Sequence, residues 1–268
     1  MSGSSPRPGS EAVSSSIESV AAAAVDLALS ILRHGTDGRR TYKTDRDFAT
    51  TTDYAIEDAV RTFLTRETPE FGFLGEERGA EGSTERLWCL DPIDGTTNFT
   101  RGIPNFGVSL ALVEDGKPTF GTIALPMHRE RYVTRGSAAY LNDKRLQVSA
   151  TSELHEAVVT MGDFATGAGS TEKNRRRLAT IGRLANGVGR VRMLGSAATD
   201  LAWLAAGRLD AVLIDANRTW DVAAGVALAT AAGATITHSD GSLYSLVGPD
   251  LIAAAPRVHR ILLDTVEA

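Results

Sequence analysis

Five acidic positions in this chain are spaced so that folding could gather them around hard cations. The densest stretch is Asp91-Pro92-Ile93-Asp94-Gly95-Thr96-Thr97-Asn98-Phe99. The apolar run Leu87-Trp88-Cys89-Leu90 ends at Asp91, which places the first carboxylate at a strand terminus. Pro92 fixes φ and removes a donor, Asp94 follows around a tight turn, and Gly95 lets the backbone bend sharply. Thr96 and Thr97 then offer hydroxyl and N–H groups at a helix start. Carboxylates hold hard cations and exposed N–H groups accept an anion, so the segment can form a metal-plus-phosphate cradle. Alone, it could be a capped turn. Three more acidic segments weigh against that. Gly75-Glu76-Glu77 follows another apolar run, Thr51-Thr52-Asp53 opens a helix, and Trp220-Asp221 opens a second ahead of Ala223-Ala224-Gly225. Singly, Asp53 and Asp221 could be N-caps and Glu76-Glu77 a solvated pair. Together, in this order, the four point to one site.

Other chemistries find little support. Cys89 sits in an apolar run with no Cys-x5-Arg cradle and reads as a buried structural thiol. The histidines His34, His128, His155, His238 and His259 lack metal-ligand spacing and read as surface or loop residues. Arg175-Arg176-Arg177 reads as a solvated helix face, with a substrate clamp as the alternative, and Lys43 could reach a phosphate from its loop. The net charge is -5 and the pI about 5.6, which argues against a nucleic-acid polymer as partner. Bound cations can still reverse the local sign of a site. A single cysteine allows no disulfide within the chain. The start is Ser-, Gly- and Pro-rich without the apolar core of a signal peptide, and Val20–Leu32 is too short to span a bilayer and carries Asp26. A cytoplasmic protein that does not bind membranes is expected.

The elements that must position the acids follow from periodicity. Residues 1–14 are expected to be a disordered tail. A helix is predicted over Ile17–Arg33 with Gly35 as its stop, then a mobile polar loop over 39–46 and a helix from Thr52 or Asp53 to about Thr65. Strands are predicted at Phe71–Leu74 and Arg86–Leu90. A hairpin follows through Glu114-Asp115-Gly116-Lys117, and the meander continues at Arg131–Thr134 and Ala139–Leu141. After a break near 149–154 the pattern alternates. Strands at Ala157–Met161, Arg190–Leu194 and Asp210–Ile214 are each followed by a helix, at Thr171–Ala185, Ala197–Ala206 and Trp220–Ala232. The halves are thus residues 15–150, α+β with the acidic cradle, and 151–268, α/β.

The four acidic segments in this order resemble the inositol monophosphatase family: Asp53 in its Thr-rich segment, Gly-Glu-Glu at 75–77, Asp-Pro-Ile-Asp-Gly-Thr-x-Asn-Phe at 91–99, and Trp-Asp-x-Ala-x-Gly at 220–225. The resemblance spans roughly residues 15 to 265. It implies a layered αβαβα sandwich of the inositol monophosphatase and fructose-1,6-bisphosphatase type, and a phosphomonoesterase using two or three Mg²⁺ ions, with Mn²⁺ as a substitute. Glu76, Asp91, Asp94, Asp221 and the carbonyl of Ile93 would bind metal, and Asp53 would help hold the looser ion or its waters. Thr96, paired with Glu76, would orient the attacking water, and N–H groups of Gly95 and Thr96 would cradle the phosphate. The family also implies a homodimer and a small phosphorylated metabolite, most simply myo-inositol monophosphate or a related sugar or cyclitol phosphate. Histidinol phosphate and a nucleotide 3′-phosphate are the alternatives, and a non-catalytic metal- and phosphate-binding regulator is the third reading.

By the same resemblance the leaving group would meet the second half, at Gly162-Asp163-Phe164, Gly195-Ser196-Ala197 and the strand before Trp220. Asp163, Phe164, Ala197, Asp215 and Asp221 are the candidate contacts. Capping for Asp163 and core packing for Phe164 stand as alternatives. Inositol-specific members carry Glu six residues before the Trp of Trp-Asp, and here that position is Ile214, beside Asp215. Strand alternation puts these two on opposite faces, so Ile214 reads as core.

Overall fold

The computed structural model describes residues 8–35, 39–44, 46–215 and 218–267. Helix α1 (Pro8–His34) is closed by Gly35, whose φ of 68° lets its N–H turn back to Ile31 O at 3.1 Å. A short hairpin, β1 (Arg40–Tyr42) and β2 (Phe48–Thr50), leads into α2 (Thr51–Glu67). An eight-stranded sheet follows. It comprises β3 (Gly72–Gly75), β4 (Gly79–Glu81), β5 (Arg86–Asp94), β6 (Gly107–Glu114), β7 (Lys117–Leu125), β8 (Glu130–Arg135), β9 (Ala138–Leu141) and β10 (Lys144–Arg145), in the order β10-β9-β8-β7-β6-β5-β3-β4. Only β3 and β5 run parallel; Asp115 and Gly116, at φ 50° and 73°, make the tight turn between β6 and β7. The six-residue helix α3 (Thr96–Arg101) interrupts the sheet directly after β5.

The second half builds a five-stranded sheet of order β12-β11-β13-β15-β14: β11 (Val158–Met161), β12 (Arg190–Arg192), β13 (Ala211–Asp215), β14 (Thr235–Thr237) and β15 (Asp250–Ala254). Strands β12, β11 and β13 are parallel, and β15 is antiparallel to both β13 and β14. Helices α4 (Ser170–Gly187) and α7 (Pro256–Glu267) cover its outer face through Leu184, Val258 and Leu262. Helices α5 (Ala197–Ala205) and α6 (Thr219–Ala231) lie between the sheets in a core shared by Cys89, Ala111 and Ile123 of the first half and Val212, Leu251 and Ala253 of the second. Helices α1 and α2 cover the far side of the large sheet. The result is the five-layer αβαβα sandwich.

Helix α6 is nearly all small and apolar, and that permits its close seat on β7. A Cβ on Gly121 would lie 2.4 Å from Ala224 O, and one on Gly225 would lie 2.5 Å from the Leu201 side chain. On the other face Trp88 is fully buried, edge-on to Phe120, with its indole N–H on Thr68 Oγ1 at 2.9 Å.

Several expectations change. Residues 8–14 of the expected tail belong to α1, which starts at Pro8, a residue suited to a first helical turn, and residues 1–7 lie outside the described residues. The polar stretch 39–46 contributes to a hairpin, stabilised by its pairing with β2. Strands β4 and β14 and helix α7 add to the expected elements. His238 and His259 are buried, with ring nitrogens at Asp250 O (2.8 Å) and Thr237 Oγ1 (3.0 Å) respectively. Among the described residues no helix is long and apolar enough to cross a membrane.

Candidate active site

The site forms where β3, β5, α2, α3 and α6 end or begin. Strand β5 carries Asp91 and Asp94 on either side of a register shift against β6, a bulge that turns the chain between the two carboxylates. Asp91 Oδ1 accepts from Ile93 N at 3.0 Å, closing the turn at Pro92. Glu76 stands beyond the neighbouring β3, and Asp221 in the first turn of α6. One carboxylate oxygen from each of Glu76, Asp91 and Asp221 lies within 4.8 Å of the other two. Neither residue is the N-cap itself: Asp221 and Asp53 both stand in a first helical turn, behind caps at Arg218 and Thr50, and Asp53 completes the capping box of α2.

The electrostatics are those of a site built for added positive charge. Burial, together with repulsion from Glu76 and Asp94, pushes Asp91 and Asp221 well above the usual carboxylate range. Asp94 is raised chiefly by burial, although Ser196 Oγ and Ala198 N (2.9 Å) donate to its Oδ2. Oxygen donors of this kind suit hard divalent cations. The residues present therefore fit a hard divalent cation. The local cation, Lys43, reaches Glu76 at 2.8 Å and Glu77 at 2.7 Å, so Lys43 is engaged by the acids themselves. The Glu77 side chain is buried, not a solvated loop group, and burial raises its pKa to about 7.

Thr96 differs from expectation. Its hydroxyl lies 3.0 Å from Ile93 O and 3.4 Å from Asp53 Oδ1, with Glu76 not among its hydrogen-bond partners. The cause is the capping box of α2. Thr50 N donates to Asp53 Oδ2 at 2.8 Å, and this turns the other Asp53 oxygen toward Thr96. Gly95, at φ 85°, has no room for a side chain: a Cβ would stand 3.0 Å from Asn105 O and 3.1 Å from Gly195 O.

Three residues carry more than their sequence context shows. Asn98 Nδ2 donates to Asn105 O and Leu194 O, both at 2.7 Å, and thereby joins the cradle to the second half. Ser196 caps α5 while bonding Asp94. Glu57, fully buried, accepts from the N–H groups of Glu77 (2.7 Å) and Arg78 (2.9 Å) and from Arg61 (2.8 Å), which fixes the turn bearing Glu76. Its carboxyl fills the place of a side chain at Gly75, where a Cβ would lie 2.3 Å away. Gly75→Ala is therefore expected to destabilise the fold by about 1–3 kcal/mol or more. An unchanged midpoint of thermal unfolding for that variant would contradict the packing.

Beside the carboxylates is a cavity of about 180 Å³ whose wall includes Asp163, Gly195, Ala197, Ile214, Asp215 and Asp221. Phe164 is outside that wall and 38% exposed, so it is not core. Ile214 is buried in the shared core. Asp215 reaches the cavity, but its Oδ2 accepts from Arg177 Nε at 3.0 Å. Arg175 and Arg176 are solvated and pair with Glu172, whereas Arg177 turns inward and is buried.

Comparisons with known proteins agree. The profile of the inositol monophosphatase family matches residues 11–268. An inositol-1-monophosphatase of Mesorhizobium japonicum is 38% identical over 224 residues, covering 82% of this chain and 83% of that protein. The Nus factor SuhB of Pasteurella multocida is 34% identical, covering 86% of each. The crystal structure of the extragenic suppressor protein suhB from Bartonella henselae superposes with a TM-score of 0.86 at 31% identity, over 94% of this chain and 98% of that one. Motifs, layers and relatives converge: the chain belongs to the inositol monophosphatase family and is a phosphatase.

Proposed function

We propose that the chain is a Mg²⁺-dependent phosphomonoesterase acting on a small phosphorylated polyol, an inositol monophosphate or a related sugar or cyclitol phosphate. The observation that carries this reading is the convergence of Glu76, Asp91 and Asp221 within 4.8 Å, beside the Thr96–Asp53 pair. Glu76, Asp91, Asp94, Asp221 and the Ile93 carbonyl are the residues that would hold two or three ions, with Asp53 behind them. When bound, such ions stabilise negative charge on phosphoryl and leaving oxygens and acidify water. The chain's own groups do the rest. N–H groups of Gly95 and Thr96 face the phosphate. Thr96 Oγ1, held at Ile93 O and Asp53 Oδ1, accepts a proton from the attacking water and hands one to Asp53. In the metal-free protein burial lifts Asp53 to about 6, and cations bound in front of it would lower that value.

The cavity of about 180 Å³ beside the carboxylates has room for a single small ring. Asp163, Ala197 and Asp215 would border that ring. The test is a panel of phosphate esters with Mg²⁺, with Mn²⁺ and with chelator. A polyol monophosphate should be hydrolysed fastest, and chelator should abolish turnover. Full turnover in chelator would sink the metal mechanism. No turnover of any ester would favour the regulatory role suggested by relatives named Nus factor SuhB. A homodimer is part of this reading, since the eight-stranded sheet leaves β4 and β10 as edges. A monomeric mass in light scattering would contradict it.

A further inference from the structure

The segment that borders the leaving group is held from behind by one helix face. Asp163, Phe164 and Ala165 follow β11 without regular secondary structure. Such a segment keeps one geometry only where its backbone groups are tied down. Two side chains of α4 do this. Asn174 Oδ1 accepts from Ala165 N at 2.7 Å, and its Nδ2 donates to Ala165 O at 3.0 Å, so one amide satisfies both backbone groups. Arg177, on the same helix face three residues later, donates Nη1 to the Asp163 carbonyl. Its Nε and Nη2 reach the Asp215 carboxylate and carbonyl. Strands β11 and β13 are parallel neighbours with Met161 paired to Leu213, so the fork spans the ends of two adjacent strands.

Arg177 is 5% exposed. A guanidinium stays charged, and burying it is tolerated only with well-placed acceptors. Here two of the three are main-chain carbonyls of residues bordering the cavity. Asp163 is gripped by its carbonyl from α4 while its carboxylate lies beside Gly195, where a Cβ would stand 3.4 Å from Asp163 Oδ2. Gly195 lies across the cavity wall.

We infer that Asn174 and Arg177 are positioning residues that set where the Asp163 and Asp215 carboxylates stand, and so govern leaving-group selectivity without touching substrate. This rests on the phosphomonoesterase reading with the leaving group in that cavity. Asparagine and arginine are suited to the task because each meets two or more fixed partners at once, Asn174 the N–H and carbonyl of Ala165, Arg177 three acceptor oxygens. Lysine at 177 keeps the charge but offers a point donor in place of a fork.

The test compares Arg177→Lys and Asn174→Ala with wild type, all with Mg²⁺, on a polyol monophosphate and on a small aryl phosphate. Backbone amide exchange of Ala165 is followed in parallel. The polyol ester should lose about ten- to a hundredfold in kcat/KM, mainly through KM, while the aryl ester stays within about twofold. Ala165 should exchange faster in Asn174→Ala, with Mg²⁺ affinity unchanged. Equal losses on both esters, or an unchanged polyol kcat/KM despite faster Ala165 exchange, overturn the role. Should Arg177→Lys fail to fold, Asn174→Ala carries the same comparison. Wild type inactive on both esters overturns the phosphatase reading instead, and Ala165 exchange then decides positioning on its own: unchanged exchange overturns it.

Discussion

An Asp91→Asn enzyme is expected to lose at least about a thousandfold in kcat/KM and, in chelator, to unfold at a higher temperature than wild type. Both effects come from one buried carboxylate. Asp91 is 2% exposed, and burial plus the charges of Glu76, Asp94 and Asp221 oppose its ionisation. Without cations the charge destabilises the fold, and a neutral amide of the same shape removes that penalty. The turn survives, because the side-chain oxygen of Asn can still accept from Ile93 N, as Asp91 does at 3.0 Å. With cations the carboxylate would be a ligand that an amide replaces poorly, and metal catalysis is worth several kcal/mol. Steady-state kinetics and thermal unfolding in chelator check the two effects, and calorimetric titration with Mg²⁺ checks the loss of a ligand behind the first. Lower stability of the variant in chelator would mean that Asp91 is held by protein contacts and not destined for a metal.

Metal-free protein should lose stability as pH rises from about 4 to about 7, and Mg²⁺ should flatten or reverse that slope. Asp53 goes from an ordinary 3.8 to about 6, and Glu77 to about 7, each chiefly through burial. A carboxyl whose pKa is raised by folding keeps its proton in the native state after the unfolded chain has released it. Over that window the native state binds more protons, so stability falls with rising pH. Asp53 is fully buried, and its shift alone corresponds to about 3 kcal/mol across the window. Bound cations favour the ionised carboxylates, so their stabilisation grows with pH. Thermal midpoints at half-unit pH steps, with and without Mg²⁺, give the answer. A metal-free midpoint that climbs steadily from pH 4 to 7 is incompatible with these burial-raised carboxyls.

The acids themselves were legible in the sequence because each sits at an element boundary marked by local signals. An apolar run precedes Asp91 and Glu76, and a helix start surrounds Asp53 and Asp221. Their partners were not. Thr96 meets Asp53 and not Glu76 because a capping box turns one oxygen of Asp53 outward, a rotation that residue spacing does not encode. Glu57 looks like an ordinary helix acid four residues before Arg61, and only the tertiary fold reveals that it holds the Glu76 turn. The run Arg175-Arg176-Arg177 is uniform in composition, yet helical rotation of about 100° per residue sends only the third inward.

Long periodic elements were equally clear: α2, α5 and α6 lie within a few residues of their expected bounds. The shorter pieces were less so. The β1–β2 hairpin and β14 are three-residue strands that exist through pairing partners far weaker in sequence than in space. Gly75 and Gly121 also gave no warning: each glycine is demanded by an atom of another element, the Glu57 carboxyl or the Ala224 carbonyl.

The order of the layers has a consequence for how the chain is made. The inner face of the large sheet, complete by Arg145, is covered by α5 and α6, which are not finished until Ala231. At ~5–20 residues per second, a ribosome leaves that apolar face waiting for several seconds. Val113, Ile123 and Leu125, dry in the finished protein, spend that interval exposed on an antiparallel sheet with open edges. Slowing translation between residues 145 and 231 should therefore lower soluble yield more than slowing it after 231.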